Sequence, residues 1–444
     1  MSSNKITFGS VFTIGLMLFA LFLGAGNMIF PPLLGQQSGD SSWVAIAGFL
    51  LTGVGLPLLG VIAIAKSGGS PLELASRVHP IFGIIFTIIL YLAIGPFFGI
   101  PRTATVSYEI GVLPFLEQDS AGGWTLLLFS ILFFTVTAWL SLNPAKLVDR
   151  IGKFLTPVLV VILAVLVGGA FINPMGEPGQ PNGGYAESPF ITGFLEGYLT
   201  LDAIAALVFA IVIISAIQSK GMTERKNVVR AATFAGLIAA TGLAAVYISL
   251  SYLGATSLNA IGVQDNGGAL LAASASYLYG SSGAIILGLA IGAACLTTSI
   301  GLVSATSTYF AKTFPGISYK GFVILFSLFS MLIANVGLAQ LIAVSVPVLV
   351  MIYPMTIVLI VMSFLDKWVK GKRSVYVGAI IPTLLIGVMD GLAAAGFTAL
   401  ASAFSFLPLM ASSLGWILPA ILGGLIGLAV PGTARSQVSA KYNN

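Results

Sequence analysis

The chain alternates long apolar runs with short polar stretches. A helix that crosses a bilayer needs about 20 mostly apolar residues. Runs of that kind fall near 8–34, 43–65, 81–105, 122–141, 153–173 and 193–218, then near 227–252, 283–311, 319–338, 342–364, 375–397 and 408–430. They predict an all-α polytopic membrane protein with twelve transmembrane helices. The narrowest division separates 319–338 from 342–364, where only Gly337 to Leu341 can turn. The first run follows Lys5 and is too long for the apolar core of a cleaved signal.

Two runs are interrupted at membrane depth. The first contains Gly24-Ala25-Gly26-Asn27, which weakens a helix, and then Pro31-Pro32, where a second half-helix is expected to end. The sixth reads Glu196-Gly197-Tyr198-Leu199-Thr200-Leu201-Asp202. A carboxylate inside an apolar run costs a few kcal/mol on insertion scales, so Asp202 needs a partner or a task. Broken backbone at this depth is tolerated only where it is buried in protein or lines a cavity. The breaks lie five runs apart, so the halves starting at runs 1 and 6 enter from opposite sides. Matching interruptions in two inverted halves mark the binding site of a secondary transporter. Half-helix N-termini there offer amides to an anionic group, and C-termini offer carbonyls to cations. The competing readings are a close-packing surface at Gly24 to Asn27 and an interhelix hydrogen bond at Asp202.

Composition narrows the class. The 444 residues are 57% apolar and 7% charged, against roughly 25% charged in a soluble domain. No stretch is polar enough for an extramembrane domain, so residues 1–444 read as a single membrane domain. The net charge of +5 could suit nucleic acid, but the basic residues sit in short clusters without interleaved aromatics. With the N-terminus inside, inner segments hold Lys5, Lys66, Arg77, Lys146, Arg150, Lys153, Lys220, Arg225, Lys226, Arg230, Lys312, Lys320, Lys367, Lys370, Lys372, Arg373, Arg435 and Lys441, which are 18 of the 19 basic residues. That places both termini in the cytoplasm. Only Arg102 falls at an outer end; a rim charge or gate and an interface-snorkelling arginine are both open there. Outer loops carry Asp40, Glu109, Glu117, Asp119, Glu177, Glu187 and Asp265.

Other chemistry is sparse. One cysteine, Cys295, and one histidine, His79, make no metal cluster or disulfide. Asp202 and Asp390 are the mid-membrane carboxylates, with no His or Cys partner for catalysis, and no Walker motif is present. No ring of polar positions suggests a channel. Run 8 carries Thr297, Gly301, Ser304 and Thr308 on one helical face, with Thr298 beside Thr297. Such a face either lets helices approach closely or supplies hard oxygen ligands for a small alkali cation.

Three motifs resemble the branched-chain amino acid:cation symporters, the BrnQ-type carriers: Gly24 to Pro31, Pro101-Arg102-Thr103-Ala104-Thr105-Val106-Ser107-Tyr108-Glu109, and Gly197 to Asp202. The resemblance covers essentially the whole chain. More distantly, Gly24 to Pro31, Leu199 to Asp202 and Ala294 to Ser299 are similar to bacterial leucine transporters, which have Ser in place of Asp202. The resemblance implies a five-plus-five inverted-repeat, leucine-transporter-like fold with helices 1 and 6 broken. Repeat one would span 8–173 and repeat two 193–364, with accessory helices over 375–430. It implies Ala25 and Gly26 amides for a substrate carboxylate, with Asn27, Leu199, Thr200 and Asp202 completing the substrate site. One sodium site would use carbonyls of Ala20, Leu23 and Ala294 with the hydroxyls of Thr297 and Thr298. A second would use the Phe22 carbonyl, Asn27 and Thr200. The implied protein is a bacterial-type cell-membrane symporter. It would import leucine, isoleucine and valine with sodium as coupling ion, without a cofactor. The apolar substrate side chain would sit near Phe97 and Phe98. The rival is proton coupling with Asp202 as carrier, or a carrier for another small amino acid. Nothing in the sequence sets an oligomeric state.

Overall fold

The computed structural model describes residues 8–116, 123–142, 147–397 and 404–430, with side chains of 147–156 left aside. Lys5, Glu117, Asp119, Lys146, Arg435 and Lys441 lie outside the described residues, as do the side chains of Arg150 and Lys153. The fold is helical. In chain order the principal helices are α1 (Phe8–Phe22), α2 (Ala25–Ser38), α3 (Ser42–Leu50), α4 (Leu56–Ser67), α5 (Pro80–Leu92), α6 (Gly99–Gly111), α7 (Gly123–Ser141) and α8 (Leu147–Ile172). They continue with α9 (Pro189–Glu196), α10 (Asp202–Ser219), α11 (Arg225–Ala255), α12 (Gly267–Thr313), α13 (Tyr319–Ala334), α14 (Leu338–Leu365), α15 (Arg373–Ala394) and α16 (Ile417–Ala429). Among the described residues, eight helical stretches are long and apolar enough to cross a membrane, and four shorter apolar helices accompany them.

The two expected interruptions are present. Between α1 and α2 the helix lapses at Leu23-Gly24, and Gly24 N–H turns back to Phe22 O at 2.6 Å instead of continuing the ladder to Ala20. Between α9 and α10 the chain tightens into a 3₁₀ turn over Gly197–Thr200. Leu201 then takes a left-handed conformation, φ 67°, which is rare outside glycine. Its side chain is buried.

Four local readings change. Pro31 and Pro32 do not end the second half-helix: α2 runs through them to Ser38. Proline removes a ladder donor, but a membrane helix buried among neighbours tolerates that loss. Run 3 is also interrupted, where a π-turn over Ala93–Phe97, containing a non-helical Gly95 and Pro96, separates α5 from α6. Run 8 extends back to Gly267 but is kinked at Gly280, φ 65°. Run 12 starts only at Ile417, because Leu409 and Ser413 adopt positive φ after Pro408. The narrow division between runs 9 and 10 is real, and Gly337, φ 87°, makes the turn.

The helices gather into two compact units, each drawing on both stretches expected to form the repeats. One comprises Met1–Leu58, Tyr91–Ala205 and Thr233–Ser345; the other comprises Leu59–Leu90, Ala206–Ala232 and Val346–Asn444. In the first, α12 packs extensively on α6 and also meets α2, α7, α8 and α13. Three glycines bring α2 into backbone contact with its neighbours. A Cβ on Gly35 would fall 1.9 Å from Ser251 O, one on Gly254 1.9 Å from Pro32 O, and one on Gly267 1.7 Å from Ile29 O. Only hydrogen fits at such separations. In the second unit, Arg77 Nη1 meets Asp366 Oδ1 at 3.0 Å. Tyr376 donates to Asp366 at 2.8 Å and accepts from Arg77 at 2.9 Å. Arg373 Nε donates to Val78 O at 2.8 Å, so charged groups from separate loops are tied together.

Candidate substrate and ion site

Both breaks lie in the first compact unit. Helix α2 begins directly after Gly24, so its opening amides, Ala25 and Gly26 among them, have no preceding turn to bond. Asn27, third in that helix, folds back so that its Oδ1 accepts the Gly24 N–H at 3.2 Å. This leaves the amide nitrogen pointing the other way. Nδ2 donates to Asp202 Oδ2 at 2.6 Å and also to the Tyr247 hydroxyl oxygen. Tyr247 in turn donates to Asp202 Oδ2 at 2.6 Å. The amide orientation is chemically consistent, with a donor toward a carboxylate and an acceptor toward a backbone N–H.

Asp202 opens α10, where the helix dipole favours an anion. Its own N–H donates to Thr200 Oγ1 at 3.2 Å, and Thr200 Oγ1 donates to Gly197 O at 2.9 Å. A carboxylate that is only 3% exposed thus bridges the two breaks through Asn27. Tyr247, from α11, was not singled out by the sequence reading. Its one signal was indirect: a carboxylate at membrane depth requires a donor, but the spacing of tyrosines in apolar runs does not say which.

Arg102 corrects the sequence reading. It is 1% exposed, in the first turn of α6, and not at a rim. The kink at Gly95 and Pro96 redirects the chain before α6 begins. Arg102 Nη1 donates to Leu199 O, and Nη2 reaches Ser345 Oγ at 3.4 Å. The guanidinium lies over the Phe30 ring, 5.2 Å from its centre. A Cβ on Gly26 would sit 3.3 Å from both Arg102 Nη1 and Thr200 O, so glycine there keeps span 1, the guanidinium and span 6 in close company. Arg102 is also within electrostatic reach of Asp202. Glu109, two turns on in α6, stays near Asn266.

Of the expected ion ligands on α12, Thr298 approaches the first break. A Cβ on Gly24 would meet Thr298 Cγ2 at 3.3 Å and Oγ1 at 3.6 Å. Thr297 Oγ1 donates to Ala294 O at 2.8 Å. Ala20 and Leu23 flank the end of α1. The rest of the hydroxyl face is different: a Cβ on Gly301 would meet nothing within 4 Å, so no helix packs closely there. Phe98 is buried, whereas Phe97 is 41% exposed and packs on Phe329. Asp390 is buried in the second unit, and its Oδ2 has no hydrogen-bond partner among the described residues.

Solved structures share this architecture. One is Mhp1, a nucleobase-cation-symport-1 family transporter in a closed conformation, with a TM-score of 0.61 and 17% identity over 96% of this chain and 94% of that one. Another is MhsT in complex with L-phenylalanine, with a TM-score of 0.51 and 18% identity over 94% and 97%. The fold is therefore that of the leucine-transporter-like membrane transporters. At the level of sequence, the family described as branched-chain amino acid transport protein matches residues 8–433, and the chain belongs to it. Relatives include the branched-chain amino acid permease BraB of Bacillus subtilis, 54% identical over 93% of this chain and 94% of that protein. The branched-chain amino acid transport system 2 carrier protein of Pseudomonas aeruginosa is 50% identical over 91% and 92%. The branched-chain amino acid permease BrnQ of Escherichia coli is 39% identical over 99% of each. The protein is a transporter, not an enzyme.

Proposed function

We propose that this chain is a symporter of the cell membrane that imports leucine, isoleucine and valine with sodium by alternating access. It crosses the bilayer twelve times with both termini in the cytoplasm. An amino acid zwitterion needs both of its charged ends met within the membrane. The opening amides of α2, at Ala25 and Gly26, suit the carboxylate. Asp202, held by Asn27 and Tyr247, and the carbonyl of Thr200 suit the ammonium. Sodium would take the carbonyls of Ala20, Leu23 and Ala294 and the hydroxyls of Thr297 and Thr298. The observation that carries the reading is the approach of Thr298 to Gly24, which brings hydroxyl oxygen to the carbonyl end of a half-helix. Hard neutral oxygens at a helix C-terminus favour an alkali cation.

Proton coupling is the second reading, favoured by the buried Asp202 between the breaks. Purified protein in liposomes separates the two. Leucine accumulation under an inward sodium gradient, unaffected by a protonophore, supports sodium. Accumulation that needs only a proton gradient rejects it.

A further inference from the structure

We propose that Arg102 is a built-in cation that stands in place of a second sodium ion, so that one sodium accompanies each amino acid. The proposal rests on the sodium-coupled reading above and adds its stoichiometry.

Helix α9 and its 3₁₀ turn finish in the carbonyls of Leu199 and Thr200. Such an end carries partial negative charge and attracts a cation. Here the attracted group is covalent: Arg102 Nη1 donates to Leu199 O. The guanidinium is shielded from lipid and water, lies over Phe30 and reaches Ser345. A buried arginine is always charged, so its charge is a permanent feature of the site.

The oxygens that the family resemblance offers to a second sodium are already engaged. Phe22 O accepts the Gly24 N–H at 2.6 Å, and Asn27 Oδ1 accepts the same N–H at 3.2 Å. Thr200 Oγ1 accepts the Asp202 N–H and donates to Gly197 O. Asn27 turns its nitrogen, not its oxygen, toward Asp202. A sodium ion entering this set would compete with these donors, as one at Thr297 would with its bond to Ala294 O, and would in addition face the repulsion of the guanidinium. Asp202 supplies the opposite charge within electrostatic reach of Arg102, so the two fixed groups balance each other without a mobile ion. The break at Gly24, where Thr298 approaches, lacks such a resident cation among the described residues, and the remaining sodium belongs there.

The test is the ratio of radiolabelled sodium to leucine carried by the unmodified protein in liposomes, checked against the membrane voltage at which net leucine flux reverses. A ratio of one is expected. A ratio of two overturns the role of Arg102 and leaves sodium coupling standing, whereas a ratio of zero overturns both. Arg102→Met and Arg102→Lys add a second measurement, after a melting curve shows that each is folded. The neutral variant should lose leucine affinity about tenfold or more, and the lysine variant should recover part of it. Equal leucine affinity in Arg102→Met and the unmodified protein would also reject the proposal.

Discussion

Asp202 and Tyr247 meet at 2.6 Å between the start of α10 and the middle of α11. The contact gives a membrane-buried carboxylate a neutral donor that cannot neutralise it, and Asn27 supplies another from the opposite break. Hydrogen bonds to a charged group contribute about 1.5–3 kcal/mol each, so this trio holds spans 1, 6 and 7 in one arrangement.

Tyr247→Phe removes one donor and keeps the ring against Phe49, whose centre lies 5.3 Å away. The variant should insert normally and melt earlier, with a stability loss of about 1–3 kcal/mol and a raised KM for leucine. Asp202→Asn should fold yet transport poorly. Undiminished uptake by Asp202→Asn would remove the carboxylate from the proposed ammonium site. Thermal melts of purified protein and initial uptake rates measure both.

Gly24 and Gly26 should fail in different ways. A methyl on Gly24 presses on Thr298, whereas one on Gly26 presses on Arg102 and Thr200. Gly24→Ala is expected to raise the sodium concentration for half-maximal uptake while leaving leucine affinity at saturating sodium close to normal. Gly26→Ala should raise the leucine KM at every sodium concentration. The same defect in both variants would mean that the two halves of the site are not separable.

Thr298→Ala deletes one oxygen from the proposed sodium set. The half-saturating sodium concentration should rise about tenfold, equivalent to about 1.4 kcal/mol, and leucine binding should be retained when sodium is abundant. Sodium activation identical to that of the unmodified protein would exclude Thr298 as a ligand.

Arg77, Asp366 and Tyr376 form a partly buried trio. An exposed pair is worth about 0–1 kcal/mol, and the shared tyrosine should lift this one above that range. A double-mutant cycle of Arg77→Gln and Asp366→Asn should give a coupling of about 1 kcal/mol or more, smaller at high salt. Zero coupling would make the trio incidental.

Much of this was legible in the chain. Apolar run length marked the membrane class, and the weak stretch at Gly24 to Asn27 and the lone Asp202 marked both breaks. Arg102 was misplaced for a definite reason. Counting residues along run 3 assumes a straight helix, and the kink at Gly95 invalidates that count. Tyr247 was invisible because a tyrosine in an apolar run has the same spacing whether it faces lipid or a carboxylate. Gly301 and Gly254 are both single glycines in long helices, yet one has open space beside it and the other touches backbone; only tertiary packing distinguishes them.

The backbone contacts of α2 give the break at Gly24 an asymmetry. Beyond the break, Gly35, Gly254 and Gly267 weld α2 to its neighbours main chain against main chain. Before it, a Cβ on Gly15 of α1 would meet Ile238 Cβ at 2.8 Å and Ala235 O at 3.0 Å, a looser approach than those beyond the break. The joint at Gly24 therefore has a tightly docked arm and a more loosely docked one, and Ala25 to Asn27 sit on the tight one. Substrate bound at the proposed Ala25 and Gly26 amides would rest on that tight arm, with the carbonyls that end α1 on the looser one.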